Sequence, residues 1–244
     1  MPHPAKSLAA VVAFIAAAAV PVLAQTPRPW PAGEQLRFRL AYGLVPAGEA
    51  TMRVEGPVDH GGRPCWRLSA DVVTSSLVSS LYRVRDRLET LADTTTLACL
   101  RSRVSLQEGG YRERLATDLD PERGIAVDQR GRRVRVPAGC PDVLAAWYRV
   151  RMLGLGAGDT LSLPVLAGRR VGRLRVAFAG REALVTAGGR RACLVLSTSL
   201  QGVAPEQVGR TARVWVTDDA RRLPVRIEIA APLGRIVATL EDRP

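Results

Sequence analysis

Apolar and polar residues alternate with a period of two along most of this chain. In Gln35 to Tyr42 the positions Leu36, Phe38, Leu40 and Tyr42 share one parity, and Gln35, Arg37 and Arg39 share the other. Ala50, Met52 and Val54 alternate with Glu49, Thr51, Arg53 and Glu55. Trp66, Leu68, Ala70 and Val72 alternate with Arg67, Ser69 and Asp71. The rhythm returns at Leu100 to Leu106, Leu194 to Leu200, Val225 to Ile229 and Ile236 to Leu240. Successive side chains of a strand point to opposite faces, so each segment predicts a strand with one dry and one wet face. One-sided burial belongs to antiparallel sheets, because parallel strands are covered on both faces and read as continuous apolar runs. Turn residues fall between the segments, at Asp59-His60-Gly61-Gly62, Gly109-Gly110, Asp120-Pro121, Gly131-Arg132, Gly188-Gly189 and Pro232-Leu233-Gly234.

One segment breaks the rhythm. Pro141 to Gly154 predicts a helix over 142–153: Asp142 can cap its start, Ala145 and Ala146 favour it, and Gly154 can end it. Val143, Leu144, Trp147, Val150 and Met152 cover much of its circumference, so it should pack on the sheet. A weaker helical signal lies at Ser75 to Leu81. The expected fold is therefore mainly β: a strongly curved antiparallel sheet or incomplete barrel of roughly a dozen strands with one main helix.

The N-terminus changes the compartment. Lys6, the apolar run Leu8 to Val20 and the small-residue pattern Val22-Leu23-Ala24 have the three parts of a secretory signal. The run is short of the ~20 residues that span a bilayer, and Pro21 follows it. The expected organisation is a cleaved signal over 1–24, a flexible segment over 25–32 and a single domain over 33–244, exported and soluble in the periplasm, with no integral membrane segment.

The formal net charge of +12 comes almost entirely from arginine, since Lys6 is the only lysine. Basic stripes with interleaved aromatics would point to nucleic acid. Here the arginines are spread along the wet parity of the strands, so a solvated sheet face is expected, nucleic acid is not, and an anionic envelope surface is the charged partner left.

The chemistry-bearing residues are few. Without His3, the one histidine is His60, in a two-glycine turn that holds an imidazole poorly for catalysis. No phosphate-loop, dinucleotide or nucleophile-elbow motif is present, and no cofactor or metal site is expected. Asp218 and Asp219 are adjacent; on a strand they would point apart, whereas in a turn such side chains bond their own backbone, so the pair predicts a hairpin corner. Asp86 shares the inward parity of Tyr82, Val84 and Leu88, and Glu113 that of Tyr111 and Leu115. A buried carboxylate needs a partner, so each is either a structural ion pair or a polar anchor in a cavity.

Four cysteines, Cys65, Cys99, Cys140 and Cys193, are disulfide candidates in an exported chain. In a simple meander one strand separates Cys65 from Cys99, placing their Cα atoms roughly 9 to 10 Å apart where a disulfide needs under about 7 Å. That pairing demands another strand order. Cys140 reaches Cys193 only if the helix lies over the sheet that carries Cys193.

Four stretches in order carry a resemblance: Gly33 to Gly56 as an opening hairpin, Leu81 to Thr90 as a strand with an inward aspartate, Pro141 to Arg151 as a helix, and Val214 to Ile229 as the penultimate hairpin. Together they resemble the exported bacterial DUF3108 family, whose function is unknown. The last hairpin is also similar to that of the periplasmic lipoprotein carriers, which implies an incomplete barrel closed by helices over an apolar cavity. Neither resemblance implies a catalytic residue. The expected function is a non-enzymatic envelope protein that binds a lipid or other apolar or acyl-bearing ligand. Phe38, Tyr42, Trp66 and Tyr82 would line its concave face, with Asp86 as polar anchor and Trp147 as cover. The alternatives are an envelope hydrolase using Asp86 and Glu113, and a structural interaction protein.

Overall fold

The computed structural model describes residues 28–186, 188–203, 211–231 and 234–241. The secretory signal over 1–24 lies outside the described residues. The described strands are β1 (Gln35–Tyr42), β2 (Val45–His60), β3 (Arg63–Thr74), β4 (Arg85–Asp93), β5 (Cys99–Glu108), β6 (Tyr111–Asp120), β7 (Ile125–Asp128) and β8 (Arg133–Arg135), then β9 (Thr160–Ala167), β10 (Arg170–Thr186), β11 (Gly189–Gln201), β12 (Thr211–Thr217), β13 (Pro224–Ala231) and β14 (Gly234–Leu240). They form one antiparallel sheet ordered β8-β7-β6-β5-β4-β3-β2-β1-β14-β13-β12-β11-β10-β9. Two meanders are thus joined by the pairing of β1 with β14, where Phe38 faces Leu240 and Tyr42 faces Ile236. The edge strands β8 and β9 do not pair, so the barrel stays open.

The alternation does what it predicts on β1: Leu36 and Phe38 are buried while Arg37 and Arg39 are exposed. The inner face is covered by α2 (Val143–Arg151), which connects the two edges of the sheet. Asp142 caps it by accepting from the Ala145 N–H at 2.9 Å. Before the cap, the Cys140 carbonyl accepts from the Cys99 N–H at 3.0 Å and the Pro141 carbonyl from the Leu166 N–H at 2.9 Å, so this short stretch bridges β5 and β9 across the opening. A second helix, α1 (Ser76–Ser79), is a single turn between β3 and β4, capped by Ser75.

The segment ahead of β1 is not a flexible leader where it is described. Trp30 is buried edge-on against Tyr148 of α2 at 5.2 Å, and Arg28 lies over Trp66. Burying aromatic area holds this segment down, so 28–32 belongs to the domain. The corner at Asp218 and Asp219 is as the sequence predicts: Asp219 accepts from Thr217 Oγ1 at 2.7 Å and the Arg221 N–H at 2.9 Å, while Asp218 pairs with Arg181 and Arg222.

Candidate ligand cavity

Between the β4–β6 wall, the β9–β13 wall and α2 lies a cavity of about 720 Å³. Its lining follows strand parity. Ser102, Val104, Leu106 and Glu108 alternate along β5; Tyr111, Glu113 and Leu115 alternate along β6. The opposite wall supplies Val165, Leu174, Leu200 and Ile229, and the helix supplies Ala146, Trp147 and Val150. The walls are mostly apolar; polar groups lie near the tip of the β5–β6 hairpin and the β9–β10 turn, and again at Ser102, Asp142 and Thr198.

Most of the groups at the tip are paired with one another. Arg169, in the β9–β10 turn, bonds Glu113 Oε1 at 2.6 Å and Asp128 at 3.4 Å, a charged link across the unpaired edges of the sheet. Tyr111 donates its hydroxyl to Glu113 at 2.9 Å. Asp86 accepts from the Gln107 N–H at 2.9 Å and meets the carboxyl of Glu108. Burial raises the affinity of both carboxyls for protons, and the charge of Asp86 raises Glu108 further. Deeper in, Asp142 is fully buried and accepts from Thr90 Oγ1 at 2.6 Å and Ser102 Oγ at 2.7 Å as well as from its helix. Burial pushes its carboxyl upward and these bonds oppose the push. Among the described residues, no cluster of three or more metal-ligating side chains is present.

Of the six residues expected to line the concave face, Trp147 borders this cavity. Phe38 packs instead in a filled cluster with Leu36, Val195, Trp215, Val225 and Leu240. Trp66 is buried beneath Trp30 and Tyr148, where the N-terminal segment has taken the space. Tyr42 ends β1 at an exposed hairpin tip. Tyr82 lies before β4 begins, outside the alternation, and lays its ring against Gly109. Asp86 does not line the cavity itself but bonds Glu108, which does. Glu113 lines the cavity too, and is paired with Arg169. Glu108 could have been found by carrying the parity of Val104 and Leu106 two residues further. Arg169 sits in a turn and Arg170 only opens β10, where parity says little.

No disulfide forms. All four cysteines are free, buried thiols. β4 separates Cys65 on β3 from Cys99 on β5, as the spacing argument requires. Cys140 sits in a cluster with Cys99, Leu119 and Leu166, whereas Cys193 packs with Phe38 and Trp215, so the helix loop does not bring Cys140 to Cys193. Burial raises the pKa of each thiol, that of Cys140 to about 11.

One solved structure shares this architecture. No curated protein matches the chain. A crystal structure of a beta-barrel-like protein of the domain of unknown function DUF1849 from Brucella abortus superposes with a TM-score of 0.60, covering 85% of this chain and 95% of that one at 8% identity. Such low identity speaks for the fold alone. A DUF1089 family protein from Pseudomonas aeruginosa reaches only a TM-score of 0.35, at 13% identity over 91% of this chain and 95% of that one. The profile of the family described as protein of unknown function (DUF3108) matches residues 37–241, from β1 to the end of β14, and the chain belongs to that family.

Proposed function

We propose that this chain is a non-enzymatic binding protein of the cell envelope, exported to the periplasm, whose cavity receives a lipid or another ligand with a long apolar body. The observation that carries this reading is the cavity itself. At about 720 Å³ it falls within the ~300–1,000 Å³ of small-molecule sites, in a fold where close packing is otherwise the rule. Leu88, Val104, Leu106, Leu174 and Leu200 give it an apolar wall, and an alkyl chain gains roughly 0.8 kcal/mol for each methylene buried there. The carboxylates and Arg169 near the hairpin tip are engaged with one another, which suits a binding site better than a centre that must present a free acid and a free base.

The test is twofold. The protein purified from an exporting host is extracted with organic solvent, and the extract is analysed by mass spectrometry. The delipidated protein is then titrated with a fluorescent fatty-acid probe, alongside a Val104→Trp variant that fills the cavity with an indole. A co-purifying lipid, or probe uptake that Val104→Trp abolishes, supports the reading. An extract free of lipid together with no uptake by the parent protein overturns it.

A further inference from the structure

The end of the sheet that carries the β5–β6 tip and the β9–β10 turn, both of which border the cavity, also carries large exposed apolar side chains. Leu44, in the turn between β1 and β2, is 100% exposed, and Leu77 and Leu81 around α1 are 71% and 90% exposed. Tyr82 and Tyr111 are each 52% exposed. Hairpin turns and one-turn helices normally carry polar residues, and α1 buries none of its own side chains. Single exposed leucines need no explanation; a contiguous set does.

The set is contiguous. The Ser75 N–H donates to the Ala47 carbonyl at 2.8 Å, which joins α1 to the β1–β2 hairpin. The Gly109 N–H donates to the Arg83 carbonyl at 2.8 Å, and the ring of Tyr82 covers Gly109 so closely that a β-carbon there would clash with it. This joins the α1 segment to the β5–β6 tip. Tyr111 then continues from that tip into the cavity lining. The apolar rim therefore runs from Leu44 through Leu81 and Tyr82 to Tyr111 at the cavity.

The charges beside the rim are cationic and unspent. Arg83 and Arg85 have no ion-pair partner among the described residues, and Arg112 donates only to the carbonyls of Gly109 and Tyr111. Glu113, on the same hairpin, is already engaged by Arg169. Leucines and tyrosines at protruding tips, ringed by arginines, match an interface of acyl chains below and anionic headgroups above.

We propose that this rim docks on the surface of an anionic lipid bilayer, with Leu44, Leu77 and Leu81 entering the headgroup–acyl boundary and Arg83, Arg85 and Arg112 meeting the headgroup charge. Docked in this way the side of the cavity that Tyr111 borders faces the bilayer, so a lipid can pass between them with little exposure to water. That last step rests on the cavity reading; the docking surface does not.

The test uses protein beginning at Gln25, which keeps every described element, and vesicles of phosphatidylethanolamine with phosphatidylglycerol or of phosphatidylcholine alone. The parent protein co-sediments with the anionic vesicles, weakly with the neutral ones, and less as salt rises. Leu44→Ser with Leu81→Ser lowers the partition about tenfold or more, and Arg83→Gln or Arg112→Gln lowers it roughly fivefold each. Leu44, Leu81 and Arg83 are exposed, and Arg112 bonds only carbonyls of the exposed β5–β6 tip, so the variants melt close to the parent. Probe uptake, measured on the same variants, separates the two readings. Vesicle binding by protein that takes up no probe sinks the cavity and leaves the surface standing. Failure to bind either vesicle, or binding that the leucine pair does not change, overturns the docking surface whatever the probe does.

Discussion

Arg151, the last residue of α2, and Glu34, just ahead of β1, form a two-point ion pair at 2.6 and 3.0 Å across 117 positions of sequence. Both side chains are buried. The same guanidinium donates to the carbonyls of Pro29 and Arg221, each at 3.1 Å, and lies over the ring of Trp30 at 5.3 Å. One side chain thus ties the N-terminal segment, the helix and the β12–β13 corner together at the closed side of the molecule.

A buried pair is costly to break from one side, because the remaining charge is stranded in a dry site. Arg151→Met should cost about 3–5 kcal/mol, whereas Arg151→Met combined with Glu34→Leu should recover most of that loss. Urea unfolding of the two variants checks this. Equal destabilisation would mean that the carbonyl contacts to Pro29 and Arg221, and not the ion pair, hold the junction.

The thiols supply a second prediction. Each is buried, and desolvation favours the neutral form, so the native protein should react slowly with a disulfide reagent at mildly alkaline pH. In denaturing guanidinium all four should titrate. Intact mass without reductant should equal the mass with it; a protein lighter by two hydrogens would show that a bridge forms.

What was legible in the chain divides by distance. The faces of β1, β5 and β6 follow from neighbouring residues, because a two-residue period is local, and the parity of Val104 and Leu106 does point into the cavity. The helix was legible from Asp142 and the alanines, with the structure ending it at Arg151 against an expected 153. The layer into which a face points was not. Phe38 and Trp66 do face inward, yet their part of the interior is filled, by the β11–β14 residues over Phe38 and by Trp30 and Tyr148 over Trp66. That filling depends on β1 meeting β14 and on Glu34 meeting Arg151, contacts between opposite ends of the sequence that no local pattern encodes.

The raised proton affinity of Asp86 and Glu108 predicts a pH dependence of stability. Both pKa values are raised in the folded state, so the folded protein binds more protons than the unfolded one from about pH 4 up to the raised values. Stability therefore falls as pH rises through that window. Glu108→Gln removes the repulsion and can still donate to Asp86. It should raise Tm by about 2 °C at neutral pH, roughly 0.5–1 kcal/mol after solvent screening, with the gain vanishing near pH 4. A gain that is the same at both pH values would assign the effect to packing.

Asp142 separates the value of a cap from the cost of a buried charge. Asp142→Ala removes the acceptor from the Ala145 N–H and strands the hydroxyls of Thr90 and Ser102, which should cost about 2–4 kcal/mol. Asp142→Asn keeps an oxygen for the helix, and its amide can donate to hydroxyls that accept as readily as they give. It also has no charge to desolvate. Because burial raises the carboxyl's pKa, the aspartate grows costlier as pH rises above about 3.9, so the asparagine variant should gain on the parent as pH rises from there through the raised pKa and then level off. Thermal melts of both variants across that range decide it. If asparagine is as damaging as alanine at every pH, the ionised carboxylate itself is what holds Thr90 and Ser102 against the helix start, and the cavity floor is built around a charge.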